Sequence, residues 1–250
     1  MHNILCFVCC ELETMKDIKE RGTIKLVLTD LKRSTFVEQL NEDIKQFPQV
    51  HPITSDMHIT HKGVSRLVMI DRYSFKDTAK KTLKVGDLVV LTVKQDPKFP
   101  ARGLGFIQSI NEDAKTAQII IEEEYRGALE TAEEQESGVI TRSLDVIEKP
   151  LEIYYEQIAM RNATGLAAVE KTAEKRQQAF EQFYEQLVSM KFIPAGRVIY
   201  GAGSNTDVTF FNCYVMPFIA DSREGISDHR KQVMEIMSRG GGVGTNGSTL

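Results

Sequence analysis

The chain has little cysteine: four residues in 250, three of them crowded at Cys6, Cys9 and Cys10. That is not the spaced framework of a secreted disulfide scaffold. It has no long apolar run either, and no window approaches the roughly 18 consecutive apolar residues of a membrane-spanning helix. A basic excess is also missing. The formal net charge is −4, so nothing in the overall balance points to a nucleic-acid coat or an anionic membrane surface. The opening "MHNILCFVCC" lacks the basic n-region and small-residue cleavage site of a signal peptide, and "ELE" follows at once. We therefore expect a cytoplasmic protein with no membrane and no nucleic-acid partner. With 42% hydrophobic and 26% charged residues, it has enough apolar material for one or two cores.

Metal-binding patterns are equally sparse. "CFVCC" is half a zinc site with no second half at finger-like spacing, and residues 1–33 read as a poorly defined N-terminal extension. His51, His58 and His61 lie within eleven residues, but their spacing fits no single helix face, so "PQVHPITSDMHITHKG" reads as a solvated loop. No metal ligand is assigned.

What is present divides the chain into segments. Residues 34–63 read as helix and loop: Phe36, Val37, Leu40, Ile44 and Phe47 recur at helical spacing, with Ser34 as N-cap and Pro48 as stop. Residues 64–148 change to a strand period. "VSRLVMI", "DLVVLTVK", "GLGFIQSI", "AQIIIEEE" and "SGVITR" are short runs separated by turn signals, which predicts a small antiparallel β domain, barrel or sandwich. "KVGDLVVLTV" with the runs after it is similar to SH3-like barrels of nucleic-acid-associated and adaptor proteins. Its acidic "IEEEY" and "ETAEEQE" suit docking better than phosphate binding. Residues 149–193 return to helix: Pro150 suits an N1 position, and Phe180, Phe183, Tyr184, Leu187 and Val188 form one stripe of a helix from about Thr172 to Met190.

Residues 194–250 carry the chemistry. "PAGR" and "YGAGS" are tight small-residue turns; "FFNCYVMPF" holds the remaining cysteine, Cys213; a helix capped by Asp221 or Ser222 follows, with Ile226, Val233, Ile236 and Met237 as its apolar face; then comes "RGGGVGTNGSTL". A glycine-rich turn of this kind lets backbone approach a ligand and offers N–H groups to phosphate oxygens. It also reads as a bare helix stop. Free cysteine is among the most buried residue types, so composition alone favours an inert Cys213.

The order "PAGR…YGAG…NCYV…SRGGGVGTNGSTL" resembles the large catalytic chain of ribonucleotide reductases, most closely the adenosylcobalamin-dependent class. The similarity is strong over residues 192–250 and plausible from about residue 34. It implies an α+β fold: N-terminal helices with a small β-barrel-like insertion, then the first strands and helix of a ten-stranded α/β barrel, truncated at Leu250. It also implies adenosylcobalamin as cofactor, a ribonucleotide substrate and a thioredoxin-like dithiol reductant. Cys213 matches the cysteine that forms a redox pair with a second one late in the barrel. Asn212, Gly241 and Gly242 match residues that hold substrate, and so does Gly196 in a more variable loop. The family's thiyl cysteine, second redox cysteine and reducing tail find no match in these residues, nor does its ATP-cone, so the chain alone is expected to be incomplete as a catalyst. Alternatives are a large chain whose radical comes from a di-iron subunit and a non-catalytic SH3-like binding module.

Overall fold

The computed structural model describes residues 30–250, and the cysteines at 6, 9 and 10 lie outside the described residues. Helix α1 (Asp30–Ile44) buries Leu40 and Ile44 and sets Phe36 edge-on to Phe106, with ring centroids 5.9 Å apart. The backbone is already helical at Asp30, so Ser34 lies inside the helix and is not its cap.

The stretch "VSRLVMI" is helix rather than strand: α2 (Gly63–Val68) runs into a π-helical turn at Met69–Tyr73. A short apolar run has no period of its own. Here Arg66 is fixed by a two-pronged ion pair to Glu122, while Met69 and Ile70 are buried, and a helix satisfies both.

Six strands follow: β1 (Lys76–Asp77), β2 (Leu88–Lys94), β3 (Ala101–Asn111), β4 (Thr116–Ile121), β5 (Val139–Ser143) and β6 (Ile147–Pro150). Two short helices, α3 (Glu123–Arg126) and α4 (Ala132–Ser137), lie between β4 and β5. All pairings are antiparallel, in the order β1-β6-β2-β3-β4-β5. The first and last strands in that order do not pair, so the sheet is open. It is not the β-barrel-like or SH3-like closure expected. The strands beside β2 explain its composition: Leu88 through Leu91 and Val93 are all buried, the near-continuous apolar run of a central strand covered on both faces. At Gly105 on β3, a Cβ would lie 2.6 Å from the Ile120 carbonyl oxygen, so only glycine lets β4 pair this closely.

Lys149 on β6 is buried and ties α1 to the sheet. Its Nζ donates to Asp43 Oδ2 at 2.8 Å, Asp87 Oδ2 at 2.7 Å and the Thr82 carbonyl at 2.8 Å. Burial pushes the Asp87 carboxyl up, although Lys149 pulls the other way.

Pro150 ends β6 rather than starting a helix. The buried residues Leu151–Tyr154 form an irregular connection, Leu151 N–H donating to the Phe75 carbonyl at 2.8 Å, and α5 (Tyr155–Ala167) begins only afterwards. Its partner α6 (Ala173–Val188) has Thr172 as N-cap, the Thr172 Oγ1 accepting from Lys175 N–H, and buries Leu187 while Phe183 stays exposed. After a short helix α7 (Gly196–Gly201) the chain forms β7 (Cys213–Val215), α8 (Arg223–Ser238) and β8 (Gly242–Gly244), with β7 and β8 parallel. This β-α-β unit is what stands where a ten-stranded barrel was expected; no closed barrel is present among the described residues.

Candidate functional site at the glycine turn

The site hangs from one buried arginine. Arg161 on α5 presents its guanidinium to Glu152, Nε to Oε1 at 2.7 Å and Nη2 to Oε2 at 3.0 Å, and both side chains are buried. The same Nη2 donates to the Tyr73 carbonyl at 2.9 Å. Nη1 faces the carbonyls of Ile199, Tyr200 and Ala202 at 3.2, 3.1 and 2.9 Å. Those three carbonyls belong to the end of α7, which lacks intrahelical donors there. Asn162 adds a bond from Nδ2 to Ile199 O at 2.8 Å. The "YGAG" segment is thus fastened to the helix pair. Gly203, at φ +73°, sits where a side chain would strike the Arg161 backbone, and Gly165 packs directly on Gly203.

"PAGR" is the start of α7 and not a free turn. Ala195 is the N-cap residue and Gly196 opens the helix, its Cα facing the Tyr73 ring, which a Cβ would approach to 3.3 Å. The next residue, Arg197, reaches across to the second glycine segment, Nη2 donating to the Arg239 carbonyl at 2.9 Å.

Strands β7 and β8 bring the remaining residues together. Cys213 pairs in register with Gly242, and a Cβ at 242 would lie 3.2 Å from Cys213 Sγ. The Asn212 carbonyl accepts from Gly242 N–H at 2.7 Å, and Asn212 is exposed. Gly241 packs against Ile236 and the Tyr214 ring. Cys213, Asn212, Gly241 and Gly242 therefore form one cluster, and Gly196 is joined to it through Arg197.

Two expectations change. Cys213 is an exposed free thiol, with Phe211 and Val215 beside it also exposed, so the burial that composition favoured does not hold. A three-residue strand in a two-stranded sheet has too little around it to cover a side chain. The apolar face expected on α8 is covered only in part: Val233 and Ile236 are half-buried, the latter against Gly241, whereas Ile226 and Met237 are exposed; Ser222 does cap the helix, accepting from Gly225 N–H at 3.0 Å.

The histidine loop is more tied down than expected. His51 Nε2 lies 3.3 Å from Thr164 Oγ1, His58 Nδ1 lies 2.8 Å from the Asp56 carbonyl, and His61 stands edge-on to Tyr155. Burial holds the His51 and His61 imidazoles below the usual histidine range. Among the described residues no group of three or more His, Cys, Asp or Glu is placed to hold a metal ion, and no helix is long and apolar enough to cross a membrane.

Sequence reasoning passed over Arg161, Arg197 and Tyr73. Arg197 stood in the quoted "PAGR". Arg161 looked like any polar-face residue of an amphipathic helix.

Residues 144–207 match the family model of the ribonucleotide reductase all-alpha domain. That segment contains β6, α5, α6 and α7, and so every partner of Arg161 named above except the Tyr73 carbonyl. No curated protein and no solved structure matches the chain.

Proposed function

We propose that this chain is an N-terminal portion of a ribonucleotide reductase large chain, and that Cys213 is one thiol of the pair that supplies the reducing electrons. The observation that carries the reading is the all-alpha-domain match at residues 144–207, immediately ahead of an exposed thiol seated against a glycine turn. The match supports an oxidoreductase of deoxyribonucleotide synthesis; the motif order of residues 192–250 supports the rest. A two-stranded parallel sheet is not self-sufficient, and in this proposal β7 and β8 belong to a larger parallel α/β sheet.

The chemistry asked of Cys213 is balanced simply. Two thiols lose two electrons and two protons and become a disulfide; the ribose 2′-hydroxyl departs as water and the 2′ carbon gains hydrogen. An external dithiol of the thioredoxin type then restores the pair by thiolate attack on the disulfide. An exposed sulfur suits such exchange, which depends on access. Asn212, Gly196, Gly241 and Gly242 are proposed to line the ribonucleotide pocket. Adenosylcobalamin would supply the initiating radical; the described residues offer no cluster that fits a cobalt ligand set, and the thiol steps belong to this chain's own residues. A cytoplasmic location goes with the reading.

The test is Cys213→Ser in the reductase that contains this chain. Repeated turnover with external dithiol should be lost, and normal turnover rejects the proposal. Activity with adenosylcobalamin and no second subunit separates the cobalamin class from the di-iron alternative.

A further inference from the structure

The glycine run beside Cys213 does not offer its leading N–H groups to a ligand. Gly240 N–H donates to the Met237 carbonyl at 2.9 Å and Gly241 N–H to the Ile236 carbonyl at 3.0 Å, with Gly240 at φ +75°. That pair of bonds is a Schellman helix stop. Gly242 N–H donates to Asn212 O at 2.7 Å. A phosphate arriving at Gly240, Gly241 or Gly242 finds these three donors already engaged, so the backbone cradle expected of such a turn is closed here.

Arg197 supplies what the backbone withholds. Its Nη2 lies 2.9 Å from the position a Cβ would take on Gly240, so the guanidinium rests on the turn itself. A guanidinium has five N–H donors, and the bond to the Arg239 carbonyl uses one of them. Among the described residues no carboxylate lies within ion-pair distance of Arg197, whereas the neighbouring Arg239 is paired with Glu235. Gly240 has no side chain to crowd the charge. The result is an unneutralised planar cation, suited to bidentate phosphate contact, held against the turn next to the thiol.

We propose that Arg197 is the anion-binding residue of this turn and takes the phosphate oxygens of the substrate nucleotide. The nucleotide part rests on the function proposed above; the anion site does not. The experiment is calorimetric titration of the 250-residue chain at low salt with inorganic pyrophosphate, cytidine diphosphate and cytidine, using wild type, Arg197→Gln and Arg197→Lys. Pyrophosphate and cytidine diphosphate should each bind about tenfold or more weaker to Arg197→Gln, the loss of a charge-assisted bond. Arg197→Lys should recover part of the affinity. Pyrophosphate should also shift the Arg197 Nε–H resonance of the wild type, a readout that needs no variant to fold. Absence of pyrophosphate binding to wild type, an unmoved resonance, or undiminished binding to folded Arg197→Gln overturns the proposal. Arg197-dependent pyrophosphate binding with no added affinity for cytidine diphosphate upholds the anion site and removes the nucleotide reading.

Discussion

Replacing Arg161 by methionine keeps most of the side-chain volume and removes every donor. Glu152 then remains as a buried carboxylate whose one other bond among those described is from Phe75 N–H to Oε2 at 2.8 Å. The carbonyls of Ile199, Tyr200, Ala202 and Tyr73 lose the donor they share. Removing one partner of a buried pair costs about 3–5 kcal/mol. Ile199 O keeps its bond from Asn162 Nδ2, but the Tyr200, Ala202 and Tyr73 carbonyls push toward the upper end, since an unmade buried bond costs about 1–3 kcal/mol. Against a whole-domain stability of about 5–15 kcal/mol, Arg161→Met should shift the urea midpoint, followed by circular dichroism, by a third or more of its value. The double variant Arg161→Met/Glu152→Gln neutralises the stranded charge while leaving the carbonyls orphaned, so it should recover about half of the loss. A single-variant cost below about 1 kcal/mol, the level of an ordinary surface change, refutes the reasoning. A double variant no more stable than the single one does so too.

Other outcomes follow from particular contacts. Gly165→Ala gains helix propensity of about 1 kcal/mol, yet its Cβ would fall 2.6 Å from Gly203 Cα, so a net loss of about 1–3 kcal/mol is expected in urea unfolding; Gly127→Ala, with open space around it, should cost nothing, and equal effects would contradict the packing. For Asp71 and Glu148, burial acts to raise both carboxyls, but Arg102 and Lys76 overcome it and hold them below the usual range. Their folded values are depressed, so the stabilisation is full above the ordinary carboxylate values of about 4 and fades as pH falls further. Asp71→Asn should flatten acid unfolding in that window, and an unchanged acid limb would reject the assignment. Cys213, free and exposed, should be alkylated by iodoacetamide in the native protein at a rate within about tenfold of the unfolded chain; peptide mass mapping separates it from Cys6, Cys9 and Cys10, and protection of Cys213 would show its surroundings are misplaced.

The sheet was legible where composition and environment agree. The β-branched run of β2 can be accommodated only in a strand covered on both faces, and β3, β4 and β5 sit within a few residues of where turn signals placed them. "VSRLVMI" was misread because its conformation is set by Arg66 meeting Glu122, 56 residues away. Pro150 misled for a related reason: an N1 proline and a strand-ending proline look alike until Leu151 is seen bonded to Phe75. Barrel closure depends on whether β1 meets β5, a property of no local stretch.

The candidate site shows the same division more sharply. Glycines at 240–242 and a cysteine at 213 announce a tight turn and a thiol, but not which way the N–H groups point. That direction follows from α8 needing a C-terminal stop: once Gly240 turns left-handed, its own N–H and that of Gly241 are committed to the last carbonyls of the helix. Parallel pairing of β8 with the Asn212–Cys213 strand then commits Gly242. A phosphate at these three glycines must accordingly be met by side chains, and the structure sets the Arg197 guanidinium against Gly240, the Tyr214 ring against Gly241 and the Cys213 thiol against Gly242. The position of Arg197 is itself set by Arg161, which grips the other end of α7. The buried Arg161–Glu152 pair thereby bears on where the charge on the glycine turn stands.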